Sequence, residues 1–477
     1  MKAYETVIGL EVHAQLATES KVFCGCSTKF AQAPNASTCP VCLGLPGALP
    51  VLNKKAFSLA VKTALALDCK IETLIKFDRK NYYYPDLPKN YQISQYDRPL
   101  GRDGFSEVFI KGEKKRIGIK RVHLEEDAGK LVHSPGKDTS LVDFNRTGCP
   151  LLEIVSEPDM REPLEAYEYL VAIKAILRYL GVSDCNMEEG SLRCDANISV
   201  RQKGEKRLGV KAEVKNMNSF KAVKEALVYE SKRHREALEN GDRILQETRL
   251  WNADKGITIS MRSKEEAEDY RYFPEPDLVP FTVEKEKIEE IKKCLPELPK
   301  AKKDRIARDY KLNEYDAGLL VREVEIADFF EAASKSCGKP KQVANWLLGD
   351  ISAFLNAAGI PIGKAALKPE HLAQLVSLIE SGRISGKIAK EILPNVINKG
   401  ISPAEIVKNE NLSQIQDGKK LSVVIEKVIA ENEKSVKDYK GGKEEAIRFL
   451  VGQAMKATGG KANPQKVNEL LKEKLKG

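Results

Sequence analysis

The feature that most limits the fold is a change of pattern near residue 290 of the 477. Before it, short strand-like runs such as TVIGLEVHAQL and CDANISVRQ alternate with turn residues and only a few helical segments. After it, apolar residues recur with helical spacing between Gly and Pro, as in KPEHLAQLVSLIESG. Because the strands do not alternate regularly with helices, the pattern predicts a mixed, largely antiparallel α+β domain followed by all-α domains.

Helix-boundary residues support this division. One helix is expected to begin at Pro163 and to end at Gly181, since proline suits the first helical turn and glycine the position after the last. A second helix is expected near residues 219–240, and later helical segments end at residues such as Gly359. A final helix has Asn463 as its N-cap.

We expect three domains, because one hydrophobic core rarely grows beyond about 250–300 residues. They are a strand-rich domain over 1–293, a helical domain over 294–408 and a small helical tail over 409–477. The tail holds 14 Lys and Arg against 10 Asp and Glu, a net charge of +4. That charge suits contact with a phosphate backbone about as well as it suits simple solvation of amphipathic helices.

Composition points to the cytoplasm. Hydrophobic residues make up 42% of the chain and charged residues 31%, which is typical of a soluble protein. The sequence has no run of 18 apolar residues, Glu5 lies where a signal peptide would be apolar, and no membrane partner is expected. Six of the ten cysteines are scattered singly, as in a reducing compartment. The net charge of +9 permits an anionic partner without requiring one.

Four cysteines near the N-terminus form two close pairs, Cys24 with Cys26 and Cys39 with Cys42. Two such pairs at this separation can converge on one tetrahedral Zn²⁺. Two disulfides, four buried thiols, or a loop that folds without zinc remain as alternatives. The spacing favours a structural zinc site.

Carboxylates recur in the strand-like segments of the first half of the chain. They are Glu11, Glu125, Glu126, Asp127, Glu153, Glu188, Glu189, Asp195 and Glu213. On a strand, Glu11 and His13 point to the same face, because side chains alternate with a period of two. Several strands that each donate one acid suit Mg²⁺ and ATP chemistry, although any one of these acids is equally expected to face solvent or pair with a cation.

Basic and aromatic residues accompany the acids. The segment FDRKNYYYPDLPKNYQISQY holds Lys80 and Lys89 among tyrosines, and Arg193 and Lys215 lie close to acids in sequence. Lysines bind phosphates, and tyrosines stack on bases, line polar passages or simply pack in a core. The sequence contains no GxxxxGK[ST] loop, GxGxxG, GxSxG or HExxH motif. Any ATP is therefore expected on a sheet rather than in a phosphate loop. A cysteine nucleophile is not expected, because none of the cysteines has an evident general base to activate its thiol.

Longer strings make a family resemblance specific. GLEVHAQL, KFDRKNYYYPDLPKNYQISQY, HLEEDAGK, EIVSEPD, MEEGSLRCDANIS, KNMNSF and DYRYFPEPDL occur in this order, and the tail contains RFLVGQAMKATGGKANPQKVNELL. Together they resemble the B subunits of the aspartyl/glutamyl-tRNA(Asn/Gln) amidotransferases, the GatB family, over essentially the whole chain.

The resemblance implies a glutamine-synthetase-like catalytic cradle, a helical domain and a tRNA-binding tail. It implies that glutamate on tRNA(Gln), or aspartate on tRNA(Asn), is phosphorylated by ATP and that ammonia then displaces the phosphate. It further implies a heterotrimer with an amidase (glutaminase) subunit, which supplies channelled ammonia, and a small third subunit. The implied cofactors are ATP, Mg²⁺ and Zn²⁺, the zinc being structural.

The resemblance also implies residue roles. The expected magnesium ligands are Glu11, His13, Glu125 and Glu153. Asp195 and Glu213 are further acids of the site. Glu126, Lys80 and Lys89 are expected along the ammonia route or on phosphate. Arg193, Asn197 and Lys215 are expected to contact nucleotide.

Two other functions fit parts of the sequence. An ATP-dependent amide ligase for a free metabolite would share the cradle, but it has no need of a basic tail. A non-catalytic tRNA-binding adaptor would use zinc to stabilise its fold, but clustered acids repel phosphates unless a cation lies among them.

Overall fold

The computed structural model describes residues 3–133, 136, 138–263, 270–412, 418–458 and 462–476. The chain divides into two compact units, Met1–Ala301 and Lys302–Gly477. Strands lie in the first unit and the second is helical over its described residues. The expected α+β class, a strand-rich part followed by helices, is confirmed.

The strands of the first unit follow the chain as β1 (Tyr4–Gln15), β2 (Lys70–Ile71), β3 (Leu74–Ile75), β4 (Asp78–Asn81), β5 (Tyr91–Ser94), β6 (Gly101–Ile110), β7 (Glu113–Glu126), β8 (Lys130–His133), β9 (Ser140–Asp143), β10 (Pro150–Ser156), β11 (Leu192–Gln202), β12 (Ala212–Lys215), β13 (Glu247–Asn252), β14 (Ile257–Ser263), β15 (Phe273–Pro274) and β16 (Phe281–Thr282). Nine of them form one sheet in the order β14-β13-β12-β11-β1-β10-β7-β6-β2. Neighbours run antiparallel except β12 and β13, which are parallel. Smaller sheets join β15-β4-β5, β16-β3 and β8-β9.

Helices α1 (Lys54–Ala66), α2 (Pro163–Leu180) and α3 (Phe220–Asn240) pack on one face of the large sheet, and α4 (Lys285–Lys293) packs against α1. The expected start and end of α2 are confirmed: Pro163 lies in its first turn and Gly181 takes a left-handed φ of 63° at its end. The even-numbered residues of β1, Ile8 to Ala14, are fully buried on the helix-covered side. Strand alternation therefore turns the odd-numbered residues of β1 toward the opposite face.

The remaining helices are α5 (Pro299–Asp309), α6 (Glu314–Leu320), α7 (Val324–Cys337), α8 (Pro340–Trp346), α9 (Ser352–Ala358), α10 (Pro369–Glu380), α11 (Gly386–Lys399), α12 (Pro403–Asn409), α13 (Gly418–Glu431), α14 (Glu433–Lys440), α15 (Ala446–Ala457) and α16 (Pro464–Lys476). A π-helical turn at Leu347–Ile351 joins α8 to α9, where Gly349 leaves helical geometry. The N-cap expected at Asn463 is confirmed, since its Oδ1 accepts hydrogen bonds from two backbone N–H groups. Residues of α5–α12 and of α13–α16 contribute to separate hydrophobic clusters.

Within the described part of the chain, every helix is too short or too polar to cross a lipid bilayer.

Candidate functional site

The open face of the large sheet brings together most of the polar residues singled out from sequence. Glu11 lies opposite Asp195 on β11, and His13 lies opposite Arg193 on β11 and Glu153 on β10. The ladder continues outward, because Glu153 pairs with His123 on β7 and Asn197 pairs with Glu213 on β12. Side chains that are far apart in sequence therefore form one polar surface across five adjacent strands.

At its centre lies a carboxylate–histidine cluster, formed by His13, His123, Glu125 and Glu153. The His123 Nε2 atom is 3.3 Å from Glu125 Oε2 and 3.2 Å from Glu153 Oε2. His13 Nε2 is 3.6 Å from Glu153 Oε2 and 3.9 Å from Glu125 Oε1. Both carboxylates and His123 are buried. Two buried carboxylates that contact the same histidine nitrogens need positive charge between or beside them.

Electrostatics within the cluster favour ion pairs. Burial alone would lower the pKa of His123, but Glu153 and Glu125 raise it to about 9. The pKa of His13 is raised as well, because the hydrogen bond and negative charge of Glu153 outweigh burial. Burial opposes ionisation of Glu153 and Glu125, yet His123 holds the pKa values of both carboxyls below their usual range.

Donor atoms of His13, Glu125 and Glu153 lie within 4.8 Å of one another, which is the span of ligands around a single metal ion. Two carboxylates on the open face of the sheet match what Mg²⁺ takes from a protein, since it keeps its other positions for water and substrate phosphates. The donor set therefore fits a divalent cation.

Lys80 approaches the cluster from strand β4 and lies among tyrosines. Its Nζ lies 4.8 Å from the ring centroid of Tyr270 and 5.7 Å from that of Tyr82. Burial alone would lower the pKa of Lys80, but the charge of Glu125 and further groups raises it. The segment that carries Tyr270 and Tyr272 lies next to the one that carries Lys80 and Tyr82, because β15 pairs with β4. Tyr96 and Tyr272 stack beside them at 4.0 Å between ring centroids.

Glu11 belongs to a second polar group, on β1, β11 and β12. Its Oε1 accepts a hydrogen bond of 2.9 Å from Asn197 Nδ2. Lys215 Nζ lies 2.6 Å from Asp195 Oδ2 and 3.2 Å from Glu213 Oε1. Among the described residues, the three donors grouped at His13 do not include Glu11. The four expected magnesium ligands thus share one face but divide between two groups.

Arg193 points along the sheet to Asp127, with Nη2 2.7 Å from Oδ2. Gln15 Nε2 donates to the same carboxylate oxygen at 2.8 Å, and Arg146 Nε lies 3.6 Å from it. Burial opposes ionisation of Asp127, but the charge of Arg193 keeps its pKa low. In this structure Arg193 therefore forms an ion pair with Asp127, and the same guanidinium was expected to contact nucleotide.

Glu126 and Lys89 lie away from the cluster, next to the cysteine loop. The two side chains form an ion pair, and Glu126 Oε1 also accepts a 2.9 Å hydrogen bond from the Ile93 backbone N–H. Both residues line a cavity of about 180 Å³ together with Cys24 and Cys42. The consecutive acids therefore lie in different places: Glu125 in the carboxylate–histidine cluster and Glu126 in the cavity beside the cysteine loop.

The four paired cysteines come together as expected from their spacing. Their Sγ atoms lie within 4.8 Å of one another, and those of Cys39 and Cys42 are 3.9 Å apart. Four Zn–S bonds of about 2.3 Å at tetrahedral angles place sulfurs roughly 3.8 Å apart. All four cysteines are free thiols in the structure. The pKa of the Cys42 thiol is lowered, first by a hydrogen bond with Cys24 and further by the charge of Lys21.

Of two further buried residues of this surface, His123 was missed from sequence and Asp127 was named only as one of the recurring acids, without a role. His123 is 2% exposed and contacts both carboxylates of the cluster, and Asp127 holds Arg193. His123 precedes Glu125 by two positions in RVHLEED, so the same alternation that links Glu11 with His13 places it on the face of Glu125. For Asp127 the sequence offered proximity to the other acids, but no sign of its partner.

Comparison with known families identifies the class of protein. The model of the GatB/GatE catalytic domain matches residues 6–289, and that of the GatB domain matches residues 328–475. The first match alone spans more than half of the chain. The chain therefore belongs to the GatB/GatE family.

Curated relatives cover nearly its full length. It is 57% identical to a protein of Carboxydothermus hydrogenoformans over 478 residues, covering 100% of this chain and 99% of the relative. It is 55% identical to one of Thermodesulfovibrio yellowstonii (99% of each) and 54% identical to one of Moorella thermoacetica (99% and 100%). All three are named as the B subunit of an aspartyl/glutamyl-tRNA(Asn/Gln) amidotransferase.

Proposed function

We propose that the chain is the activating subunit of a tRNA-dependent amidotransferase, a ligase that forms carbon–nitrogen bonds. It converts misacylated Glu-tRNA(Gln), Asp-tRNA(Asn) or both into the amide form. Full-length identity of 54–57% to proteins with that name supports this function. The carboxylate–histidine cluster on the open sheet face carries the assignment of the chemistry. A metabolite ligase is not favoured, because the relatives match through the tail as well. A non-catalytic adaptor is not favoured, because buried acids cluster on the sheet face and would repel phosphates without a cation among them.

The reaction needs activation because a carboxylate is a poor electrophile. A side-chain oxygen of the tRNA-bound amino acid attacks the γ-phosphorus of ATP, and ADP leaves. Ammonia then attacks the acyl carbon, the carboxylate oxygen leaves with the phosphate, and the nitrogen loses a proton. Bound Mg²⁺ supplies positive charge that neutralises the phosphate oxygens.

We assign the cation to His13, Glu125 and Glu153, with Glu11 on the adjacent group. His123 holds the two carboxylates in place through the contacts of its Nε2 atom with both. Lys80 adds a positive charge where charge develops on the transferred phosphoryl group. Asp195, Glu213 and Lys215 form a polar group for nucleotide, to which Asn197 and Arg193 contribute hydrogen-bond donors.

Ammonia must reach this face without loss to water, and we assign its route to the cavity lined by Lys89 and Glu126. In this proposal a partner amidase (glutaminase) subunit releases ammonia from glutamine, and a small third subunit completes a heterotrimer. The word "subunit" in the relatives' names supports an assembly of this kind.

A structural zinc ion at Cys24, Cys26, Cys39 and Cys42 completes the proposal. The fit of the four sulfurs to a tetrahedral ion supports it.

We further propose that residues 1–293 form the catalytic cradle, 294–408 the helical domain and 409–477 the tail that binds tRNA. We also propose that the protein acts in the cytoplasm.

The test is amide formation on Glu-tRNA(Gln) and Asp-tRNA(Asn) by the three-subunit complex with ATP and glutamine. We expect Glu153→Gln to abolish the product on both tRNAs, while Glu188→Gln, on an exposed turn, serves as the matched control. Full activity of Glu153→Gln would contradict the assignment of the site. Binding of tRNA without any amide from the wild-type complex would contradict the function.

A further inference from the structure

A fully buried lysine lies against the proposed zinc site. Lys21 has 0% exposure, three residues before the first cysteine of the set. Its Nζ donates to the Ser37 carbonyl oxygen at 2.7 Å, to the Phe144 carbonyl oxygen at 3.4 Å and to Cys42 Sγ at 3.6 Å. Its three ammonium hydrogens are thus directed at two neutral oxygens and one sulfur.

Lysine is rarely buried completely unless an anion accompanies it, because removal of an ammonium from water is energetically costly. Among the described residues, no carboxylate lies within 4.0 Å of Lys21 Nζ. Glu126 lines the same cavity as Cys42, but its carboxylate is paired with Lys89. Two of the three groups that Lys21 Nζ contacts are neutral carbonyl oxygens, so Cys42 Sγ is the one contact among them that can carry a compensating negative charge.

A zinc ion with four thiolates does balance it. Such a complex carries a formal charge of −2, and an adjacent ammonium reduces the net charge to −1. The same ammonium fixes the loop between the cysteine pairs through Ser37. Hydrogen bonds to metal ligands from outside the coordination sphere orient those ligands and tune metal affinity.

We infer that Lys21 is the charge-compensating residue of the four-cysteine metal site, donating to the Cys42 sulfur and setting how tightly the loop holds zinc. This inference rests on the proposed zinc site. It gives Lys21 a positioning role, separate from the chemistry on the sheet face, and it explains why a lysine rather than an apolar residue is enclosed here.

The test measures zinc content and zinc affinity by competition with a chromogenic chelator, for the full chain and its Lys21→Met variant. Lys62→Met is the matched control, since Lys62 Nζ donates to the Leu180 carbonyl oxygen at 2.8 Å and no metal-ligand group found in the described part of the chain includes Lys62. We expect Lys21→Met to bind zinc about 10- to 100-fold more weakly. Lys62→Met is expected to bind zinc as the wild type does.

Unfolding by urea separates compensation of charge from support of the loop. With zinc bound, Lys21→Met should unfold at a lower midpoint than the wild type. Without metal it should unfold at the same midpoint or a higher one, because the substitution removes a buried charge that no zinc–thiolate complex then balances. If Lys21→Met fails to fold, Lys21→Gln keeps donors for the carbonyl oxygens and takes its place.

Unchanged zinc affinity in the variant, or an equal loss of stability with and without metal, would overturn the role of Lys21 alone. Absence of zinc from the wild-type chain, together with no binding of added Zn²⁺, would overturn the zinc site itself. The two failures are therefore distinguishable.

Discussion

Replacing His123 by alanine removes the positive group that lies between two buried carboxylates. Its Nε2 is 3.3 and 3.2 Å from Glu125 and Glu153, and the side chain is 2% exposed, so solvent offers little compensation. Loss of one partner from a buried ion pair costs about 3–5 kcal/mol. We expect a loss of that size in the unfolding free energy of the metal-free chain.

Saturating Mg²⁺ should reduce this loss to about 1–2 kcal/mol, because the cation supplies positive charge to the same carboxylates and mainly hydrogen bonding is then missing. Urea unfolding followed by Trp251 fluorescence is the assay. A Trp346→Phe background leaves Trp251, in the core of the first unit, as the single tryptophan. His133→Ala is the control, since His133 is exposed and bonds Ser140 at 2.8 Å.

If the metal-free His123→Ala variant is as stable as the wild type, the reasoning is refuted. A loss of 3–5 kcal/mol that Mg²⁺ does not reduce would show that the cluster stabilises the fold without binding the cation.

Two other predictions concern different parts of the first unit. Glu230 is fully buried on α3, and although burial opposes its ionisation, bonds with His234, Arg233 and Thr258 lower its pKa to about 2. A carboxyl whose pKa is lower in the folded than in the unfolded state stabilises the fold at pH values above its unfolded pKa, near 4.5. We therefore expect about 3 kcal/mol of the unfolding free energy to be lost as the pH falls from 4.5 toward 2. Denaturation curves of Glu230→Gln that keep the wild-type pH dependence would contradict this. Lys89→Met should lower glutamine-driven amide formation by the complex about 10²-fold, and high ammonium should restore most of it if the pair with Glu126 belongs to the ammonia route. Equal loss with both nitrogen sources would instead place Lys89 in the chemistry of the sheet face.

Local patterns predicted the elements of the fold well. The boundaries of α2 followed from Pro163 and Gly181, and the four cysteines converge as their spacing indicated. Alternation along β1 correctly placed Glu11 and His13 on one face. Such features depend on neighbours within a few positions, so the sequence displays them directly.

Long-range pairing could not be derived in the same way. That His13 faces Glu153 on one side and Arg193 on the other depends on the register of three strands that are far apart in sequence. The parallel pairing of β12 with β13 and the π-helical turn at Leu347–Ile351 also lack a local signature. Similarity of the cradle to glutamine synthetase stays a prediction, as do the three domain boundaries.

Transfer of oxygen tests the central proposal most directly. Glu-tRNA(Gln) carrying ¹⁸O in the glutamate side-chain carboxylate is incubated with the complex, ATP and ammonium, and the inorganic phosphate is analysed by mass spectrometry. Activation by phosphorylation predicts one ¹⁸O atom in each phosphate released with the amide, and no labelled phosphate from Glu153→Gln. Amide formed with unlabelled phosphate would contradict phosphorylation of the carboxylate on this chain.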